Sequence, residues 1–363
     1  MTKSLIFILM ATLLIGPSAF TQTLYDPMQA HAFQSTGPWF EGWYTRITDF
    51  KTGVSIAVIT TSALHQDQSL VNGQAPGYVS IIVSTPASPK TLSYEAYPKT
   101  TTLKNHGTDF RWSANGYGLS SKAWTDVAVP GSVRVQMKMR TRKRWSAVKD
   151  ESGPESVLGS LPFVPLHWFV FNTNGAADYA LDYTVNGKLV HIEGTGFVHQ
   201  EKNWGKTFPK SWIWAQATSD DGHSYVALAG GDLSVGPFTA HSYMVGYRSP
   251  GIHEDFKLGK GWTTGFSNAI NGCGRKFRLV AENDSYLLEL EAAADPRSFA
   301  ELSIPTATGY LPRGAIESFT AVIKTKLFKK TGSHYFPNYE LVETREFRQA
   351  ALEFGAGAMV CRQ

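Results

Sequence analysis

Hydrophobic and polar positions alternate along this chain in short segments that are separated by turn signals. Asn-Gly and Asp-Gly pairs are typical of tight hairpin turns, because these residue types tolerate positive φ. Such pairs occur at residues 115–116, 186–187 and 221–222. Runs of β-branched and aromatic residues, typical of strands, lie at 54–61, 78–84, 133–139 and 189–193. The pattern predicts an antiparallel, all-β protein. Helical periodicity is weak and limited to the region of Ala315 and to 344–354, so any helix is expected to be minor.

One segment, HQEKNWGKTFPKSWIWAQ at 199–216, concentrates large aromatic side chains beside a few polar ones. In a strand, the two-residue period places Trp212, Trp214 and Gln216 on one face and Ile213 and Ala215 on the other. Three side chains in line on one strand can form the wall of a pocket for a bulky ligand. An earlier segment, FEGWYTR at 40–46, has the same character and precedes a predicted hairpin at 49–53.

The two segments, FEGWYTR (40–46) and EKNWGKTFPKSWIWAQ (201–216), resemble the signature segments of the tocopherol cyclase-like proteins. The likeness extends to His167-Trp168 and to the closing residues 350–357. The resemblance implies two lipocalin-like antiparallel β-barrel or sandwich units around an apolar cavity. With the seam near Lys206, we predict an N-terminal unit at 22–205 and a C-terminal unit at 206–363.

The resemblance also implies a reaction, the closure of a chroman ring in a prenylated hydroquinone. The alkene is protonated, and the phenolic oxygen then adds to the tertiary cation. A carboxyl held among aromatic rings would be desolvated and would keep its proton near neutral pH. Glu41 and Glu201 are the predicted acids. The alternative for each is a structural role, in which it binds backbone amides or pairs with Arg46 or Lys202.

The remaining candidates would bind the substrate. Tryptophan faces can stabilise a carbocation by about 2 kcal/mol or more when desolvated, although at least one of the four tryptophans is expected only to fill the core. Amide side chains could orient the quinol oxygens, and a tyrosine or histidine could take or relay the phenolic proton. The predicted substrate-binding residues are Trp43, Tyr44, His167, His199, Asn203, Trp204, Trp212, Trp214 and Gln216.

Composition narrows the class of protein further. The net charge of +4 is mild, and its one concentrated basic run, 138–145, is read as an edge strand rather than a nucleic-acid site, with membrane-surface contact as a minor alternative. No metal-binding motif is present, so neither a metal nor a cofactor is expected. Cys273 and Cys361 are the only cysteines, and they could form one disulfide or remain two thiols.

The N-terminus has the layout of a secretory signal. Lys3 precedes a short apolar run and the small residues at 16–19, which predicts a signal peptide over 1–21 and a secreted or periplasmic protein. Plant-type enzymes of the resembled family work in plastids, whereas this chain begins with a secretory-type signal. The predicted substrate is therefore a prenylated quinol or another isoprenoid, and not necessarily a tocopherol precursor. Two alternatives to the cyclase are a carrier of a hydrophobic isoprenoid without catalysis, and a related hydratase or pericyclic cyclase.

Overall fold

The structure is a computed structural model that describes residues 36–88, 90–106, 109–146, 153–155, 166–235, 238–257, 265–333 and 336–360. The predicted signal peptide, residues 1–21, lies outside the described residues. The described chain folds into two large antiparallel sheets, which confirms the predicted all-β class.

The first sheet has twelve strands in the order β3-β6-β7-β8-β9-β10-β11-β12-β1-β2-β4-β5. Its strands are β1 Trp39–Asp49, β2 Val54–Leu64, β3 Gln74–Ala75, β4 Gly77–Ser84, β5 Leu92–Ala96, β6 Thr101–His106, β7 Asp109–Ala114, β8 Gly118–Ser121, β9 Trp124–Val129, β10 Val133–Met139, β11 Leu166–Val185 and β12 Lys188–Gly205. The predicted turns at 115–116 and 186–187 connect neighbouring strands of this sheet.

The second sheet has the order β16-β15-β14-β13-β22-β21-β19-β18-β17, and β20 also pairs with β21. Its strands are β13 Ser211–Thr218, β14 Tyr225–Val235, β15 Phe238–Ser249, β16 Ile252–Phe256, β17 Gly265–Asn271, β18 Lys276–Glu282, β19 Tyr286–Ala293, β20 Ala300–Thr306, β21 Gly309–Ser333 and β22 Phe336–Ala356. The change of sheet therefore falls between Gly205 and Ser211.

Three clusters of buried side chains hold this architecture together. One cluster belongs wholly to the first sheet and includes Trp43 and Ile47, and another belongs wholly to the second sheet and includes Ile213 and Ala215. The third cluster joins the sheets and contains side chains from both, Trp214 among them. Each sheet thus has its own core, and the central strands are buried on both faces.

The helices predicted near Ala315 and over 344–354 are wrong, because both segments are strands, in β21 and β22. Around Ala351, consecutive residues are buried because alternate side chains enter the second-sheet core and the inter-sheet cluster. Register shifts in the β21–β22 pairing and a positive φ at Gln349 also interrupt the two-residue period. The helical segments of the described chain are two three-residue 3₁₀ turns, Pro296–Ser298 and Gly357–Met359. Within the described ranges, no helix has the length and apolar character to cross a membrane.

Cys273, in the turn between β17 and β18, is disulfide-bonded. The sequence contains one other cysteine, Cys361, which lies outside the described residues. Of the two predicted states of Cys273, the structure supports the bridge.

Candidate active site

A cavity of about 300 Å³ lies between the two sheets. Its lining residues come from both halves of the chain and are mostly apolar or aromatic. They include Phe40, Tyr44, Trp168, Glu201, Asn203, Phe208, Trp212, Trp214, Met244, Leu302, Ile304 and Glu353. Because residues two apart on a strand face the same way, the strand register arranges this lining in layers.

The middle layer contains the acidic side chains. In the first sheet, Glu201 of β12 pairs with Tyr44 of β1. In the facing sheet, Trp214 of β13 pairs with Glu353 of β22, which in turn pairs with Glu317 of β21. The register therefore brings three glutamates to one level between the sheets, Glu201 and Glu317 buried and Glu353 partly buried, although they are up to 152 residues apart in the sequence (353 − 201).

The layers above and below this level differ in character. One register step away lie Asn203, Trp168 and Trp212, and beyond them the apolar Phe40, Phe208 and Ile304. One step away in the other direction, Arg46 donates to Gln216 Oε1 across the sheets at 2.7 Å. The cavity thus has an aromatic end and a polar floor.

Glu201 lines the cavity, and its Oε2 atom is tied to two nitrogens. It accepts the Trp214 indole N–H at 3.0 Å and lies 2.8 Å from His199 Nε2. His199 Nδ1 in turn lies 3.1 Å from the Tyr225 hydroxyl. These contacts occupy one oxygen of the carboxyl and hold the side chain in a fixed orientation.

Glu353 lines the cavity from the opposite sheet, and its Oε1 accepts the Trp212 indole N–H at 2.5 Å. Burial raises the pKa of Glu353 to about 7, the nearby charge of Glu201 adds to the increase, and the Trp212 N–H opposes it. At neutral pH a substantial fraction of Glu353 therefore carries a proton, which a general acid requires.

Glu317 accepts the Tyr44 hydroxyl at 2.8 Å. Burial, together with the charge of Glu353, raises the pKa of Glu317 well above its usual range. Burial likewise raises the pKa of Tyr44, followed by the charge of Glu317, so Tyr44 keeps its proton and donates it. This pair closes the side of the cavity next to Glu353.

Arg46 lies fully buried beneath these carboxyls. Its hydrogen bonds go to neutral groups: the Gln216 amide, the Gln349 carbonyl at 2.5 Å and the Ser55 hydroxyl at 3.4 Å. Among the described residues, none of the three glutamates above it makes an ion pair with a lysine or arginine. In this setting, burial raises the pKa of Glu317 well above its usual range and that of Glu353 to about 7.

The structure places Glu41 elsewhere. Alternation along β1 turns Tyr44 to the cavity and directs Glu41 to the opposite face, with the first-sheet core. There its Oε1 binds Lys202 Nζ at 2.6 Å, and both side chains are fully buried. This is the ion pair that the sequence left open as an alternative, and it does not position Glu41 to donate a proton inside the cavity.

Several other predicted residues also lie away from the cavity. His167 Nδ1 lies 2.9 Å from Glu155 Oε2, and the His167 ring stacks on Trp204. The Lys202 ammonium also contacts Trp204, at 4.8 Å from the ring centroid. Trp43 stacks on Phe110 within the first-sheet core, although it also borders the cavity.

The predicted residues that meet at the cavity are therefore a subset of the original set. Trp43, Tyr44, Glu201, Asn203, Trp212 and Trp214 line it, Trp43 at its border with the first-sheet core. His199 and Gln216 lie one layer below the cavity. His199 contacts Glu201, and Gln216 accepts a hydrogen bond from Arg46.

Sequence reasoning missed Glu353 and Glu317 as functional residues. Glu353 belongs to the closing segment 350–357 that carries part of the family resemblance, and Glu317 follows Ile316 and precedes Phe319 by two residues. The signal available was a carboxyl within an apolar run, because glutamate is almost never fully buried without a partner. The expectation of helices in these segments hid that signal.

Gly355 shows how closely the cavity wall is packed. A Cβ atom at this position would overlap the indole of Trp212, which lies flat on the glycine. The absent side chain lets Trp212 reach Glu353 on the same strand as Gly355. Gly355 therefore positions the donor that modulates the pKa of Glu353.

Comparison with solved structures places the fold in a class of two-sheet, lipocalin-like β proteins. The crystal structure of CghA with Sch210972 superimposes with a TM-score of 0.55 at 10% identity, covering 88% of this chain and 89% of that one. Kievitone hydratase from Nectria haematococca gives a TM-score of 0.51 at 12% identity, over 95% of this chain and 96% of that one. Likeness at this level of identity concerns the fold.

Sequence comparison identifies the family. The tocopherol cyclase-like model matches residues 95–356, so the chain belongs to the tocopherol cyclase-like family. It is 26% identical over 222 residues to the chloroplastic tocopherol cyclase of Zea mays, covering 59% of this chain and 44% of that one. It is 28% identical over 208 residues to an Oryza sativa subsp. japonica protein named "Probable tocopherol cyclase, chloroplastic", covering 55% and 42%. The alignments span less than half the length of these relatives. Family membership therefore confirms the resemblance seen in the sequence.

Proposed function

We propose that this protein is a cyclase that closes a chroman ring in a prenylated hydroquinone, with Glu353 as the proton donor and Glu201 as the proton acceptor. The observation that carries the proposal is the position of the Glu353 carboxyl, which lines an apolar, aromatic cavity at the same level as Glu201 on the facing sheet. Burial raises its pKa to about 7, which suits a proton donor. Family membership supports this reaction class.

The proposed reaction begins with proton transfer from Glu353 to the trisubstituted alkene. A C–H bond forms, the π bond is lost, and a tertiary cation and the Glu353 carboxylate remain. The Trp212 N–H stabilises that carboxylate. The rings of Trp212 and Trp214 face the cavity and stabilise the cation, each by up to about 2 kcal/mol.

Ring closure then forms the C–O bond. The phenolic oxygen attacks the cation while its proton passes to Glu201, whose Oε1 is not engaged by the contacts that hold Oε2. Return of this proton from Glu201 to Glu353 restores the starting state. The net reaction is an isomerisation, so neither an oxidant nor a second substrate is consumed.

We also propose that the protein works in an oxidising compartment outside the cytoplasm. The predicted signal peptide and the disulfide at Cys273 support this location. The substrate would then be a quinol drawn from a neighbouring membrane. Two lipocalin-like units, 22–205 and 206–363, remain our proposal for the domain organisation.

The test is incubation of the purified protein with phytyl and geranylgeranyl methylhydroquinones in deuterated water, followed by chromatography and mass spectrometry. We expect a chromanol that carries one deuterium on the former alkene carbon. For Glu353→Gln we expect turnover to fall by roughly 10²- to 10⁴-fold, the usual contribution of a general acid, with little change in substrate affinity. Glu340→Gln, an exposed change on the same strand, is the matched control.

Other outcomes have distinct meanings. Tight binding of unchanged quinol by the wild-type protein would indicate a carrier. A product heavier by one water would indicate a hydratase. Full turnover by Glu353→Gln would remove the proposed acid.

A further inference from the structure

Behind Glu201, away from the cavity, a chain of buried polar groups continues into the protein. Glu201, His199 and Tyr225 are each at most 3% exposed. His199 Nε2 lies 2.8 Å from Glu201 Oε2, and Tyr225 Oη lies 3.1 Å from His199 Nδ1. His199 and Tyr225 belong to different sheets, so the chain of contacts crosses the interface. The His199 ring also packs against the cavity-lining rings of Tyr44 and Trp214, and its hydrogen bond toward the cavity goes to Glu201.

The partners decide which way each hydrogen bond points. Burial, with the charge of Glu201 as the second cause, raises the pKa of Tyr225 well above its usual range, so Tyr225 keeps its proton. A protonated tyrosine that faces a neutral imidazole nitrogen donates to it. His199 Nδ1 is then the acceptor, and the imidazole proton lies on Nε2, where it points at Glu201.

This tautomer determines the state of Glu201. The indole N–H of Trp214 can only donate, so Glu201 Oε2 receives two N–H bonds, one from Trp214 and one from His199. Hydrogen bonds donated to a carboxyl favour its ionised form. Glu353, facing the same cavity, receives one such bond, from Trp212. This difference in the number of donated hydrogen bonds favours Glu201 as the proton acceptor and Glu353 as the proton donor in the same cavity.

The charged and titratable groups around this chain come from both sheets. Tyr44 and Arg46 lie on the neighbouring strand β1, and the second sheet contributes Glu317 and Glu353. The guanidinium of Arg248 opposes the effect of Glu201 on Tyr225. Within the described chain, Arg248 forms its ion pair with Asp255, at 2.6 Å.

We infer that His199 and Tyr225 are positioning residues that hold the Glu201 carboxyl in place as the proton acceptor opposite Glu353. The inference rests on the proposed function, because the acceptor matters only if a proton leaves the substrate. Neither residue touches the substrate. Their effect is on the orientation and protonation of Glu201, so it should appear in the turnover number and its pH dependence rather than in substrate affinity.

The kinetic test compares Tyr225→Phe, His199→Gln and His199→Leu. Tyr225→Phe removes the hydroxyl that selects the tautomer, and His199→Leu removes the donor to Glu201. For both we expect kcat to fall on the order of 10- to 100-fold, as for the loss of a hydrogen bond to a charged group. KM should remain close to the wild-type value, and the acidic limb of the profile of kcat against pH should move to higher pH. His199→Gln keeps an N–H donor at the Nε2 position and should recover much of the rate.

The control is Tyr247→Phe. Tyr247 is also fully buried and donates to a carboxylate, Glu343 at 2.9 Å, but it belongs to the core of the second sheet. A merely structural role for Tyr225 predicts that Tyr225→Phe and Tyr247→Phe lose stability alike and keep the wild-type pH profile. That result would overturn the inference.

A second measurement does not depend on turnover. Long-range ¹⁵N–¹H NMR correlations distinguish imidazoles protonated on Nδ1 from those protonated on Nε2, and His199→Gln assigns the signal. We expect the Nε2 tautomer in the wild-type protein and a mixture in Tyr225→Phe. Protonation on Nδ1 in the wild-type protein would overturn the inference even if the enzyme is active. Failure of the wild-type protein to convert any quinol, with the Nε2 tautomer intact, would instead count against the proposed function.

Discussion

Two sets of glutamates lie on the two sides of the first sheet, and their charges are compensated differently. Glu41 faces the first-sheet core and is neutralised by Lys202 at 2.6 Å. Glu201 faces the cavity with Glu353 and Glu317 opposite it, and in the described chain these three make no lysine or arginine ion pair. The Lys202 ammonium compensates the charge of Glu41, whereas burial without such a partner raises the pKa of Glu353 and Glu317. The number of local cations therefore separates the structural glutamate from the catalytic candidates better than sequence position does.

The largest expected effect comes from breaking the buried ion pair between Glu41 and Lys202. Lys202→Met leaves Glu41 buried without its cation, which should lower the free energy of unfolding by about 3–5 kcal/mol. Glu41→Leu combined with Lys202→Met should recover most of that loss, because an apolar pair needs no solvation. Urea denaturation of both variants measures the difference. Lys324→Met, which removes an exposed ion pair with Glu346, should change stability by less than about 1 kcal/mol. Equal effects of Lys202→Met and Lys324→Met would contradict the comparison.

A smaller effect is expected from displacing Trp212, the hydrogen-bond donor to Glu353 in the cavity. Gly355→Ala forces Trp212 away from its position, at a cost of about 1–3 kcal/mol for overpacking. Loss of the Trp212 N–H should also raise the pKa of Glu353, so the basic limb of the activity profile moves to higher pH. Gly357→Ala is the milder control: its Cβ would lie 3.0 Å from the Lys210 carbonyl oxygen, a tight contact, whereas a Cβ at Gly355 would overlap the Trp212 ring. An unchanged pH profile in Gly355→Ala would show that Trp212 does not influence Glu353.

The smallest expected effect is a slope of stability with pH. The pKa of Glu353 is about 7 in the folded protein, against an ordinary value near 4.3 for the unfolded chain. Between these values the folded state holds more protons, so stability falls as pH rises, by at most about 1.4 kcal/mol per pH unit for one carboxyl. The slope ends above the folded pKa. Glu353→Gln should lessen the decline, and chemical denaturation at pH 5, 6, 7 and 8 measures it. If stability of Glu353→Gln fell with pH as steeply as that of the wild-type protein, the raised pKa would belong to another group.

One part of the candidate site could be predicted from the sequence, and another part could not. The motif at 201–216 identified Glu201 and the tryptophan face of β13, since a local two-residue period decides which side chains share a face. The all-β class followed from the same period and the turn dipeptides. Contact of the basic run 138–145 with a membrane stays a prediction.

Glu353 and Glu317 depended on information that is not local. The pairing of β13 with β22 joins segments more than a hundred residues apart, and the pairing of β22 with β21 places Glu317 opposite Glu353. Whether Glu41 or Glu201 faces the cavity likewise depends on which face of the first sheet meets the second. A strand buried on both faces has no polar side to mark its orientation.

The existence of a separate apolar core in each sheet has a consequence for how such a protein can change over time. The side chains that hold each sheet together, such as Ile47 and Ile213, belong to clusters distinct from the layer that surrounds the cavity. Substitutions in that layer can therefore alter the shape and acidity of the chamber while the two cores preserve the fold. This architecture can diversify at the cavity without first being rebuilt, and for the same reason it is a practical scaffold for directed evolution toward new ligands.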